Sequence, residues 1–147
     1  MFLKKLNELY NIDDDRLIKS IKINSKEVEP GDIFVCTMGV TADRHDFIDE
    51  AIKNGASAIV VSRDVGKKTV PVIKVDDTNV ELRKLSAKFY DYPYEKACMI
   101  GVTGTNGKTT VAELIYQLIS DDCAYIGTNG KKYKNKHFSM LNTTPDV

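Results

Sequence analysis

The residues best equipped for chemistry stand together in the run 101–110, GVTGTNGKTT. Gly104 and Gly107 bracket Thr105 and Asn106, and Lys108, Thr109 and Thr110 follow at once. An apolar stretch over 97–102 comes before the run, and Val111, Leu114, Ile115 and Leu118 recur at helical spacing after it, over 109–119. This order predicts strand, loop and helix. The first N–H groups of a helix have no internal partners and lie at the positive end of the helix dipole, so they can hold phosphate oxygens. Gly104 and Gly107 let the backbone approach an anion without a Cβ in the way. Lys108 is placed to reach the outer phosphates of a nucleotide, and the Thr109 hydroxyl can meet a magnesium ion bound to them. The widespread spacing GxxxxGK[ST] is not met: Val102 stands five residues before Gly107, and Gly101 stands six before it. A plain glycine-rich turn with a surface lysine is the competing reading, and it leaves the flanking strand and amphipathic helix unexplained.

Elements must position this loop, and most of the chain reads as alternating strands and helices. Phe2, Leu3, Leu6, Leu9 and Tyr10 predict a short amphipathic helix over the first ten residues. Ile21 and Ile23 alternate with polar residues as in a half-buried strand, and Pro30-Gly31-Asp32 punctuates the chain before the buried run IFVCTM. Residues 45–54 predict a helix with Phe47, Ile48, Ala51 and Ile52 inward, closed by Gly55. The runs SAIVVS and VPVIKV predict two more strands, and 79–90 a helix with Val80, Leu82, Leu85 and Phe89 inward. Alternation of this kind favours an α/β layer structure. Asp91-Tyr92-Pro93-Tyr94 breaks the pattern. A domain boundary is expected there, giving residues 1–95 and 96–147.

The chain has 147 residues, 42% of them apolar and 29% charged, which suits a soluble globular protein with a core. Its 21 basic and 21 acidic residues cancel, so binding to nucleic acid or anionic lipid through a general cationic face is not expected. Any anion site must be local. The lysines at 131, 132, 134 and 136 read as a solvated hairpin. Cys36, Cys98 and Cys123 have neither metal-ligand spacing nor a disulfide pattern and read as buried thiols. No apolar run nears the roughly 20 residues that span a bilayer. A cytoplasmic, monomeric protein without membrane insertion is expected.

With the loop and elements in place, GVTGTNGKTT resembles the ATP loop of the Mur ligase superfamily, whose members add amino acids to the peptide of the bacterial cell-wall precursor. The stretch from Asn24 to Val61, with its PGD and HDF features, is similar to the small amino-terminal α/β domain that binds the sugar nucleotide in the tripeptide-forming branch. YIGTNG and LNTTPDV resemble the same branch's central domain. Asn24 and Lys26 stand where that branch usually has Asp and Arg, and Arg44 stands where glycine is common.

What the resemblance implies is an α/β fold: a UDP-binding domain followed by the start of a P-loop, Rossmann-like ATP-binding domain. The cofactors would be ATP and magnesium, and the substrates UDP-MurNAc-L-Ala-D-Glu and a diamino acid joined through an acyl phosphate. Gly104, Thr105, Asn106, Gly107, Lys108, Thr109 and Thr110 would hold ATP, with Lys108 stabilising phosphate and Thr109 meeting the metal. Ile23, Ser25, Val40, Thr41 and Ala42 would contact the uridine diphosphate, and Thr143 and Thr144 the sugar and peptide. Taken alone, the first five read as turn residues and the last two as strand residues. His45 reads as a cap or packing residue. The downstream strands and the amino-acid-binding domain lie outside this stretch, so it is not expected to ligate by itself. Two alternatives remain: a non-catalytic nucleotide- or UDP-sugar-binding module, or the sibling that adds D-Ala-D-Ala.

Overall fold

The structure, a computed structural model, describes residues 2–39, 43–119, 122–134 and 136–139. They form two compact units, one within residues 1–97 and the other within 98–146.

The first unit is built on four parallel strands that lie side by side in sequence order: β3 (Ser20–Lys22), β4 (Asp32–Val35), β5 (Ala58–Val61) and β6 (Val72–Lys74). Ser20 faces Asp32, Ile33 faces Ala58 and Ile59 faces Val72. The central strands DIFV and AIVV are buried along their whole length, as parallel strands are when both sheet faces are covered. Ile33, Val35, Ala58 and Val60 pack on one face with Leu6 and Leu9 of α1 (Leu6–Tyr10) and Leu82, Leu85 and Phe89 of α3 (Thr78–Phe89). Phe34, Cys36, Ile59 and Val61 pack on the other with Ile48 and Ala51 of α2 (Ile48–Lys53). The result is three layers.

Local chemistry sets the ends of these elements. The Asp77 carboxylate accepts from the Asn79 and Val80 N–H groups and so caps α3. Gly55, at φ +107°, closes α2, and a Cβ there would come within 2.9 Å of Pro30. In the Pro30-Gly31-Asp32 turn the buried Asp32 carboxylate accepts from the Ser20 hydroxyl at 2.7 Å and the Glu29 N–H at 2.9 Å. That motif is a structural clasp between β3 and β4.

Several expectations need correction. The amino-terminal helix is only α1; Lys4–Lys5 forms β1, paired antiparallel with β2 (Leu17–Ile18), and Phe2 and Leu3 are exposed. Pairing with β2 satisfies backbone groups that a single exposed helical turn would leave to water. Phe47 lies in a 3-10 turn ahead of α2 and is exposed, because a three-residue period turns it off the buried face. Of the cysteines only Cys36 is buried, its thiol pushed up to about 12 chiefly by burial. Cys98 is exposed and Cys123 is intermediate.

The second unit holds α4 (Lys108–Ile119) and an antiparallel meander of β7 (Ala124–Gly127), β8 (Gly130–Tyr133) and β9 (Lys136–Phe138). The predicted strand over 97–102 is absent. A strand exists only through a ladder to a neighbour, and the meander strands pair with one another. Met99 and Ile100 are exposed accordingly. Glu113 of α4 accepts from Lys132 and from Asn129, while the Tyr116 hydroxyl donates to the Lys134 carbonyl at 3.0 Å. The lysine-rich segment is thus a hairpin as expected, but Lys132 is not merely solvated.

Candidate functional site

The glycine-rich run turns into α4 as expected. Gly104 and Gly107 both have positive φ, +144° and +77°, which L side chains rarely adopt. No atom lies within 4 Å of a Cβ added at Gly107, so the constraint there is conformational and not steric. The Val111 N–H donates to the Gly107 carbonyl at 2.9 Å. The N–H groups of Lys108, Thr109 and Thr110 precede it and face no helical carbonyl, which is the arrangement that receives phosphate. Gly104 through Lys108 are exposed and Thr109 is half-buried. Lys108 folds back over the loop, its ammonium donating to the Gly104 carbonyl and, at 3.4 Å, to the Thr105 carbonyl. These residues fit nucleotide phosphates, and Thr109, next to Lys108 in the first turn of the helix, has a hydroxyl that could meet a metal.

The carboxyl ends of the parallel strands, where open α/β sheets bind ligands, are a second candidate site. Ile23 and Ser25 follow β3, and Met38 and Gly39 follow the adjacent β4. Val40, Thr41 and Ala42 themselves lie outside the described residues, as do Thr143 and Thr144. Ile23 is half-buried and packs on the core face carrying α1 and α3. Ser25 is buried; its hydroxyl donates to Glu50 at 2.5 Å and its carbonyl accepts from Asn54 at 2.9 Å.

Both flanks of 40–42 are pinned. Met38 pairs with Asp43 in an antiparallel bridge, and the Arg44 N–H donates to the Thr37 carbonyl at 3.3 Å. The buried His45 ties this stem to β5: its Nε2 accepts from the Ser62 N–H at 3.0 Å, so its Nδ1 carries the proton and donates to Asp43 at 2.6 Å. Asp43 also accepts the His45 backbone N–H, which with the ring contact and Arg63 holds its carboxyl below the usual carboxylate range. His45, Asp43 and Ser62 resemble a catalytic triad in composition, but a backbone donor occupies Nε2, the atom a general base would need. They are a brace. The Asp-x-His spacing was the signal in the sequence for this contact; Ser62 and Thr37 gave none.

A cavity of about 550 Å³ beside α3 is lined by Leu9, Glu81, Lys84, Leu85, Lys88 and Tyr92. None of the expected site residues lines it.

Residues 17–92 match the Mur ligase family, catalytic domain, and residues 102–147 match the Mur ligase middle domain. The catalytic label falls on the part without the glycine-rich loop. Over its full length the chain is 44% identical to the UDP-N-acetylmuramoyl-L-alanyl-D-glutamate--2,6-diaminopimelate ligase of Oceanobacillus iheyensis, covering 32% of that protein. Over 94% of its length it is 39% identical to the ligase of the same name from Fusobacterium nucleatum, covering 29% of it. The chain therefore spans about a third of the length of the curated relatives it matches. The crystal structure of MurF ligase from Thermotoga maritima in complex with ADP is 36% identical with a TM-score of 0.58, over 72% of this chain and 24% of that one. A solved diaminopimelate ligase of the same name as the first two relatives, 24% identical, matches the fold with a TM-score of 0.69 over 92% of this chain and 30% of that one.

Proposed function

The chain belongs to the Mur ligase family, and on that premise we propose that it supplies the sugar-nucleotide-binding and phosphate-binding parts of an ATP-dependent ligase that adds a diamino acid to UDP-MurNAc-L-Ala-D-Glu. The observation that carries this reading is the glycine loop at the head of α4, with two positive-φ glycines, unpaired helix N–H groups and Lys108. Relatives of 44% and 39% identity, both named as diaminopimelate-adding ligases, support it over the dipeptide-adding sibling.

When bound, ATP with magnesium supplies the phosphoryl group that turns a carboxylate, a poor acyl donor, into one with a good leaving group. The chain's own residues bind and orient. The N–H groups of Lys108, Thr109 and Thr110 would meet the outer phosphates, and the Lys108 ammonium, now on loop carbonyls, would turn to add its charge to them. Thr109 would offer its hydroxyl to the metal. Within residues 1–95, Ile23, Ser25 and 40–42 would hold the uridine diphosphate, Ser25 through its backbone N–H, since its hydroxyl is engaged by Glu50 and its carbonyl by Asn54. Thr143 and Thr144 would meet the sugar and peptide.

Calorimetric titration of the chain with magnesium-ATP and, separately, with UDP-MurNAc-dipeptide tests this. Wild type should bind both, and Lys108→Ala should weaken ATP while keeping the sugar nucleotide. A folded wild-type chain that binds neither overturns the reading.

A further inference from the structure

We infer that the guanidinium of Arg44 is the cation that takes the diphosphate of the uridine nucleotide at the carboxyl edge of the four-stranded sheet; this rests on the sugar-nucleotide reading of that edge. The first observation is position. Arg44 is half-buried and doubly anchored, its backbone N–H on the Thr37 carbonyl and its Nη1 on the Thr37 hydroxyl at 2.5 Å. Thr37 follows the last residue of β4 by two positions, so both anchors lie past the carboxyl end of that strand. The head group is therefore held at the carboxyl end of β4.

The second observation is charge. The acids nearest Arg44 in sequence are taken by other groups: Asp43 by the His45 ring at 2.6 Å and Arg63 at 2.9 Å, and Asp46 by Arg63 at 3.5 Å. Among the described residues the arginine ion pairs are those of Arg16 and Arg63, and Arg44 has no carboxylate partner there. A half-buried cation without a carboxylate partner favours an anionic ligand, and a protein of zero net charge must attract one locally. The third is chemistry. Guanidinium presents five donors in a planar fork that matches phosphate oxygens, and Thr37 engages only Nη1 and leaves the rest of the fork available. Arg63, tied to two carboxylates, is not equivalent.

The test is calorimetric titration of the chain with UDP and with uridine, using wild type, Arg44→Gln and Arg44→Lys, with thermal midpoints to verify folding. Arg44→Gln should weaken UDP about tenfold and leave uridine within about twofold. Arg44→Lys, which keeps charge but not the fork, should fall between, and keeps the test open should the glutamine variant fold poorly. Added salt should weaken UDP more in wild type than in Arg44→Gln. Equal UDP affinity in wild type and Arg44→Gln overturns the proposal, as does an equal loss for uridine, which would make Arg44 a scaffold for the loop. A folded wild-type chain that binds neither compound overturns the sugar-nucleotide reading, and the Arg44 assignment with it.

Discussion

Lys108 and Asp43 show how much a single side chain contributes before any ligand arrives. Lys108 is exposed and bonded only to carbonyls of its own loop, so its removal should change stability little. On the proposed reading its contribution comes when phosphate replaces those carbonyls, so Lys108→Ala should weaken ATP binding by roughly ten- to a hundredfold with an unchanged thermal midpoint. Asp43 is the reverse case, a carboxylate already employed in the fold. Because its folded value is held down by His45 and Arg63, its contribution is complete above the ordinary carboxylate range and is lost as pH falls through the lower, folded value. The difference in thermal midpoint between wild type and Asp43→Asn should be constant from neutral pH to about 5 and shrink below about 4. A difference that grows on acidification would contradict the assignment.

At the scale of elements, β4 carries the heaviest packing and α3 the clearest cap. Phe34 is fully buried between β5 and α2, and Phe34→Ala should cost about 3–5 kcal/mol in denaturant titration. Asp77→Ala removes the side-chain acceptor for two N–H groups and should cost about 1 kcal/mol. Strands β3 to β6 and helices α2 and α3 were legible in the sequence because continuous apolar runs and helical periodicity reflect the same burial that forms the sheet. The glycine loop was legible for a different reason: positive φ and close anion approach each demand glycine. What was illegible depends on partners distant in sequence. Nothing local says that Lys4 and Lys5 pair with Leu17 and Ile18, that residues 97–102 find no neighbour, or that the Ser62 N–H fixes the tautomer of His45. Ile23, Ser25 and 40–42 could be named only by resemblance, since nothing in their residue types or spacing marks a nucleotide site.

Across the molecule, the apolar side chains divide unevenly. The two core clusters lie in the first unit, whereas α4 has no buried residue and leaves Leu114 and Leu118 exposed. Leu118→Lys should therefore leave the thermal midpoint unchanged, in contrast to Phe34→Ala; a large shift would show that Leu118 is covered in solution. The sequential order β3-β4-β5-β6 also bears on how quickly the first unit forms. Each strand waits only for the next one along the chain, so the ladder can lengthen from one end without a distant segment having to return to the middle. Short loop closures of this kind favour rapid folding for a parallel sheet, and they allow its carboxyl edge to take shape while later parts of the chain are still being synthesised.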